Sequence, residues 1–266
     1  MREGLLETLT LYVLLGMGAG LLSGMLGVGG GQVVVPGLLY IFHVMNFSPT
    51  YATHMALGTS LATIIVTSIS SARAHGKRGA VDWTLVRRLS PGIVVGAVVG
   101  GLMSGLFPGH ILRVAFGGFL LILALQMALS LRPSPQRTIP GPTGTAAAGG
   151  LIGWVSAIVG VGGGSMVVPF LAWCNVNMKT AVGTASACGA PLALAGMIGF
   201  LVAGWGKSDL PAYSLGYIYL PGWSAISVCS IAFTPVGAMI SHRLPVDTLK
   251  RVFSVFLAIA GLRILM

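Results

Sequence analysis

The stretch Leu26-Gly27-Val28-Gly29-Gly30-Gly31-Gln32-Val33-Val34-Val35-Pro36 recurs 133 positions later as Val159-Gly160-Val161-Gly162-Gly163-Gly164-Ser165-Met166-Val167-Val168-Pro169, so the chain is two copies of one unit. Each copy sets four glycines within five residues of an otherwise apolar run. Inside a helix each glycine costs roughly 0.8–1 kcal/mol relative to alanine, so the pattern predicts a helix break at both places. In lipid, a break leaves backbone N–H and C=O groups without partners, and it survives only where protein buries it or a polar cavity receives it. Paired breaks in matching places of two halves are the arrangement that holds a solute near mid-depth.

That argument needs a membrane, and composition supplies one. Of 266 residues, 55% are hydrophobic and 8% charged, against about 25% charged in a soluble domain. The expected class is an all-α polytopic membrane protein with short aqueous loops and no separate soluble domain. The net charge of +10 sits mostly in those loops, as cytoplasmic loops require, so nucleic acid is not an expected partner. Cys174, Cys188 and Cys229 lie in or beside apolar segments at no metal-ligand spacing and read as small hydrophobes. Met1-Arg2-Glu3-Gly4 leads into apolar sequence without an obvious cleavage site, so no removable signal peptide is expected.

Residues 1–131 form the expected N-terminal repeat, 132–142 a Pro/Gly-rich linker and 143–266 the C-terminal repeat. The first apolar run, from about Thr8 to Val44 around the glycines, is too long for one span: it is either one interrupted crossing or a hairpin turning back at the break. Helices are then expected from about Tyr51 to Ala72, from Ser90-Pro91-Gly92 to Pro108, and from Ile111 to Leu131, with a basic loop from Arg73 to Arg88. Gly92, Gly96 and Gly100, four apart, mark a face for close helix packing. The second half is expected to repeat this plan with a broken element at 143–173 and helices at 180–204, 213–241 and 248–266. Ala56-Leu57-Gly58-Thr59-Ser60 answers to Ala181-Val182-Gly183-Thr184-Ala185, and Pro91 and Pro108 to Pro221 and Pro245, which makes the seventh helix about two turns longer than its counterpart.

Orientation follows from the fifteen basic residues. With hairpins the repeats are inverted and eleven lie inside, leaving Arg2, Arg113, Lys207 and Arg263 outside; with single crossings the halves are parallel and the division is ten to five. The positive-inside rule leans toward the inverted arrangement.

The doubled Gly-Val-Gly-Gly-Gly element with its following apolar run and Pro, the Ala-Leu-Gly-Thr-Ser signature at 56–60 and the basic loop after it resemble the sulfite exporter TauE/SafE family, also called the 4-toluene sulfonate uptake permease family. The resemblance spans nearly the whole chain. It implies a secondary transporter of a small sulfur-containing or organic anion, such as sulfite, a sulfonate or sulfoacetate, in the prokaryotic inner membrane. The second signature departs from the first, since Ser186 stands one position later than Ser60 would require.

The residues themselves point the same way. A glycine break followed by a helix restart aims backbone N–H groups and the positive end of a helix dipole at one spot, which suits an anion. The candidate substrate-binding residues are therefore Gly29, Gly30, Gly31 and Gln32 in the first copy and Gly162, Gly163, Gly164 and Ser165 in the second, with hydroxyls from Thr59, Ser60, Thr184 and Ser186. The competing reading is that the glycines serve close packing and the hydroxyls bond back to their own helices.

Glu3, Glu7, Asp82, Asp209 and Asp247 all fall at ends or in loops, which disfavours a buried carboxylate relay. His54 is the one intramembrane candidate for proton handling, set against the commoner role of a structural hydrogen-bonder. No catalytic residue set, metal site, cofactor or Walker-type phosphate loop is expected, and an intramembrane enzyme would need a His/Cys/Asp constellation at depth. The expected partners are a small anion and the lipid bilayer, and the oligomeric state is left open, a homodimer included. An anion channel or facilitator without alternating access is the alternative, and flux that fails to saturate would distinguish it.

Overall fold

The computed structural model describes residues 2–26, 29–129, 139–207, 209–240 and 246–266. In chain order these form α1 (Arg2–Leu26), α2 (Gly31–Val44), α3 (Pro49–Gly76), α4 (Trp83–Met103) with a 3-10 turn at Ser104–Leu106, α5 (Gly109–Ala128), α6 (Pro142–Ile158), α7 (Gly164–Trp173), α8 (Met178–Ala203), a hairpin of β1 (Ser214–Leu215) and β2 (Ile218–Tyr219), α9 (Leu220–Ile240) and α10 (Val246–Leu265). Six of the described helices are long and apolar enough to cross a membrane, and α2 and α7 are shorter apolar helices. The chain is an all-α polytopic membrane protein. Residues 132–138 of the expected linker, with 130 and 131 before them, lie outside the described residues.

Several expected bounds move, each for a local reason. Asp82 accepts hydrogen bonds at Oδ1 from the backbone N–H of Thr84 (2.9 Å) and Leu85 (3.1 Å). This N-cap starts α4 at Trp83, not at Ser90. Pro91 consequently lies inside α4. Helix α3 continues to Gly76, so Arg73, Arg87 and Arg88 sit on helix ends and the basic loop shrinks to 77–82. Over the described residues the seventh long helix is no longer than its counterpart, α4 and α9 each spanning 21 residues. The extra residues ahead of α9 fold as the hairpin, with Ser214 opposite Tyr219 and Leu215 opposite Ile218.

The helices α3 and α8 form the centre: 72% and 61% of their spans are buried, against 33–39% for the other four. They cross antiparallel. Ser71 meets Ser186, Ser68 faces Gly189, Leu61 faces Gly196, and Phe200 faces Gly58. The outer pair α5 and α10 is also antiparallel, with Arg113 Nε donating to the Ile264 carbonyl and Gly117 facing Gly261. By contrast, α1 runs parallel to α9 and α4 parallel to α6. Gly16 faces Ile226 and Cys229, and Gly20 faces Ser230 and Phe233. The ridge of Gly92, Gly96 and Gly100 lies against residues 146–157 of α6, the close approach that small residues four apart permit. Helix α1 thus packs along α9, and α6 along α4. Helix α2 folds back beside α1: Gly30 faces Ala19, Gly37 faces Leu15, and the Tyr12 hydroxyl donates to Met45 Sδ at 3.4 Å.

Candidate functional site

The first break turns on two glycines in the left-handed region, Gly29 (φ 82) and Gly30 (φ 75), after which α2 begins. That conformation is costly for any residue with a Cβ. In the second break the left-handed glycine is Gly160 (φ 65), two places before Gly162, the mate of Gly29, while Gly163, the mate of Gly30, has helical angles. Equivalent sequences therefore turn by different routes.

The two breaks meet. A methyl group on Gly29 would stand 3.3 Å from Gly162 Cα, and one on Gly31 would stand 2.9 Å from the Gly160 carbonyl. Across the junction Gln32 Nε2 donates to Ser165 Oγ at 2.7 Å, two positions related by the 133-residue repeat. Helix α3 braces both sides, since Ser60 Oγ donates to the Gly160 carbonyl (3.0 Å) and Thr67 Oγ1 to the Gly29 carbonyl (3.1 Å). Gln32, Ser60, Ser165 and Thr67 are all buried.

Electrostatically the junction is two helix starts side by side. Val33 and Val34 N–H both turn to the Gly30 carbonyl, and Met166 and Val167 N–H to that of Gly163. Just ahead of them Ser165 N–H turns to the Gly162 carbonyl at 3.5 Å, and the amides at each start lie at the positive end of a helix dipole. Gln32 Oε1 is buried without a partner, and so is Ser23 Oγ on α1. The Gln32 amide can present either face. If it turns over, Ser165 donates to Oε1 and the Nε2 protons are released. The junction can therefore offer a ligand donors or an acceptor without a formal charge.

Other expected hydroxyls are engaged elsewhere. Thr59 Oγ1 accepts from Tyr219 N–H (2.9 Å) and Thr184 Oγ1 from Asp82 N–H (3.0 Å), so these two equivalent threonines each hold the chain just ahead of a long helix of the opposite half. Ser186 bonds back to the Val182 carbonyl at 2.9 Å and accepts from Ser71 at 3.2 Å. His54 lies toward the start of α3, its Nε2 bonded to the Phe107 carbonyl at 3.0 Å. Sequence reasoning missed Thr67, Ser68 and Ser23. For Ser23 a signal existed: Ser156 is its repeat mate at the same 133-residue offset, and Ser156 Oγ contacts Met166 Sδ of α7 at 3.6 Å.

Comparison with known proteins gives a consistent result. A family model described as "Sulfite exporter TauE/SafE" matches residues 12–264. A probable membrane transporter protein of Haemophilus influenzae is 38% identical over 253 residues, covering 95% of this chain and 96% of the relative. A second, from Methanocaldococcus jannaschii, is 26% identical over 264 residues, covering 97% and 96%. The probable membrane transporter protein YdhB of Bacillus subtilis is 26% identical over 253 residues, covering 92% and 96%. No solved structure matches the chain.

Proposed function

We infer that this chain, which belongs to the sulfite exporter TauE/SafE family, is a secondary transporter that carries a small sulfur-containing or organic anion of the sulfite, sulfonate or sulfoacetate type through the junction of its two glycine breaks. Residues 1–131 and 143–266 are its two halves, inverted relative to each other. The antiparallel crossing of the equivalent helices α3 and α8 supports that relation, because equivalent helices of parallel repeats would cross the membrane in the same direction. The observation that carries the reading is the contact of the breaks, Gly29 against Gly162 and Gln32 bonded to Ser165.

Two helix starts of about half a positive charge each balance roughly one negative charge. The junction favours a monoanion such as a sulfonate or bisulfite over a dianion, and transport of a titrating substrate follows its singly charged form. The test is counterflow in proteoliposomes across a panel of anions, with and without a pH gradient. Saturable exchange of a sulfonate or bisulfite supports the reading. Flux that does not saturate points to a channel, preference for a dianion over its monoanion overturns the charge argument, and no anion flux at all removes the reading.

A further inference from the structure

A cavity of about 550 Å³ opens where α2 passes into α3 and α4 into α5; Thr50, Tyr51, His54, His110, Lys207 and Tyr217 are among its lining residues. Lys207 and His110 bring positive or protonatable groups to it, and none of its described lining residues is acidic. Asp209, two residues beyond Lys207, is not among them.

The base of this cavity holds an unusual histidine. His54 is 3% exposed, and its Nε2 faces the Phe107 carbonyl at 3.0 Å. A carbonyl only accepts, so Nε2 carries the proton of the neutral ring and Nδ1 is left as a bare lone pair. That Nδ1 is buried and makes no hydrogen bond, although the backbone of Thr50 and Ser104 also bears on the ring. A glycine stands opposite: a methyl on Gly109, which also lines the cavity, would lie 3.7 Å from Nδ1 and 3.6 Å from Cε1. The other ring faces meet aromatic groups, Tyr217 at 4.8 Å between centroids and Tyr51 at 6.2 Å. One added proton converts this edge from acceptor to charged donor, while the bond to Phe107 stays in place.

We propose that this cavity is a loading site for a small oxyanion, held by Lys207 and His110 at its mouth and by the Nδ1–H of protonated His54 at its base. The anion and one proton arrive together, so the site is neutral overall with respect to what it takes up. The idea rests on the transport reading only for the step that follows, passage to the glycine breaks.

The test uses the full chain in lipid nanodiscs with methanesulfonate, whose charge is constant from pH 5 to 8, and inorganic phosphate as a second probe. With ¹⁵N-imidazole labelling, methanesulfonate is expected to shift the His54 resonances, assigned by their loss in His54→Gln, and to increase the protonated fraction. Binding should tighten as pH falls through the histidine range. His110→Gln should keep part of that dependence, and His54→Gln should lose the larger part. Lys207→Cys supplies a readout of charge sign. Modification with a trimethylammonium thiosulfonate should restore binding, and a sulfonate-bearing reagent should weaken it about tenfold at low salt and less at high salt. Cys174 and Cys188 are buried, and the unmodified protein treated with each reagent sets the baseline for Cys229. Identical effects of the two reagents, an unmoved His54 signal at saturating probe, or full pH dependence in His54→Gln would each overturn the proposal. Binding without flux of any anion would remove the transport reading and leave this site standing, whereas saturable flux with a silent His54 would do the reverse.

Discussion

The repeat mates Gly30 and Gly163 invite the same substitution and should answer it differently. Gly30 has φ 75 and ψ −11, whereas Gly163 has φ −56 and ψ −22. Alanine at the first position must adopt a left-handed conformation, which costs about 1–2 kcal/mol. Its methyl would also stand 3.0 Å from the Ala19 carbonyl oxygen, a backbone atom held in α1. Alanine at the second position needs no backbone change, and its methyl would meet Leu192 Cδ1 at 3.4 Å and Val167 Cγ2 at 3.5 Å, ordinary contacts. Restricting the unfolded chain there contributes about 0.4–1 kcal/mol of stability. The two variants should therefore differ by about 1.5–3 kcal/mol, which for a chain of this size separates melting temperatures by roughly 3–12 °C. The assay is a thermal melt of purified protein in detergent, paired with counterflow in proteoliposomes. Gly30→Ala should melt early. Gly163→Ala should melt at or above the wild-type temperature yet transport poorly, because its methyl occupies space beside the junction. If Gly30→Ala melts like the wild type, the backbone argument is wrong. If Gly163→Ala exchanges anion normally, the space at the second break does not belong to the substrate.

Three further outcomes are expected. Gln32→Leu removes the bond to Ser165 and the adaptable amide; with a hydrogen bond to a charged ligand worth about 1.5–3 kcal/mol, the half-saturating concentration should rise tenfold or more, and a saturation curve like the wild type's would exclude Gln32 from the site. Thr59→Val and Thr184→Val each strand a backbone N–H, of Tyr219 and Asp82 respectively, so they should lower the melting temperature while leaving half-saturation near the wild-type value; the opposite pattern would return both hydroxyls to the substrate. A cysteine replacing Asn46, in the joint between α2 and α3, should react with an impermeant thiol reagent from the periplasmic face, and labelling from the cytoplasm would contradict the inverted arrangement.

Much of the junction was legible because the repeat is. Two equivalent breaks must lie in equivalent places, and the Gln32–Ser165 bond joins positions that the sequence alone puts in register. What stayed hidden depends on partners distant in the chain. Thr59 and Thr184 read from sequence as substrate hydroxyls, and only the fold shows that each also accepts from a distant backbone N–H, that of Tyr219, 160 residues away, and that of Asp82, 102 residues away. The hairpin at 214–219 occupies residues whose apolar character reads as a helix start. Gly30 and its repeat mate Gly163 turn differently in unlike surroundings, the Ala19 carbonyl beside one and the Leu192 and Val167 side chains beside the other, which two near-identical glycine strings cannot encode.

The parallel pairing of α1 with α9 has a consequence for how the molecule is made. Ser230 Oγ donates to the Gly16 carbonyl across 214 residues of chain. At a synthesis rate of about 5–20 residues per second, α1 emerges roughly 10–40 s before the surface that will cover its Gly16 and Gly20 face. Helix α6, by contrast, follows the α4 ridge it covers within about 3–11 s on the same scale. The ribosome thus completes one of the two equivalent clasps early and the other last. Until α9 is inserted, the first half holds its broken helix beside lipid or the insertion machinery, and a chain that stops short of α9 leaves that helix without the partner it closes on.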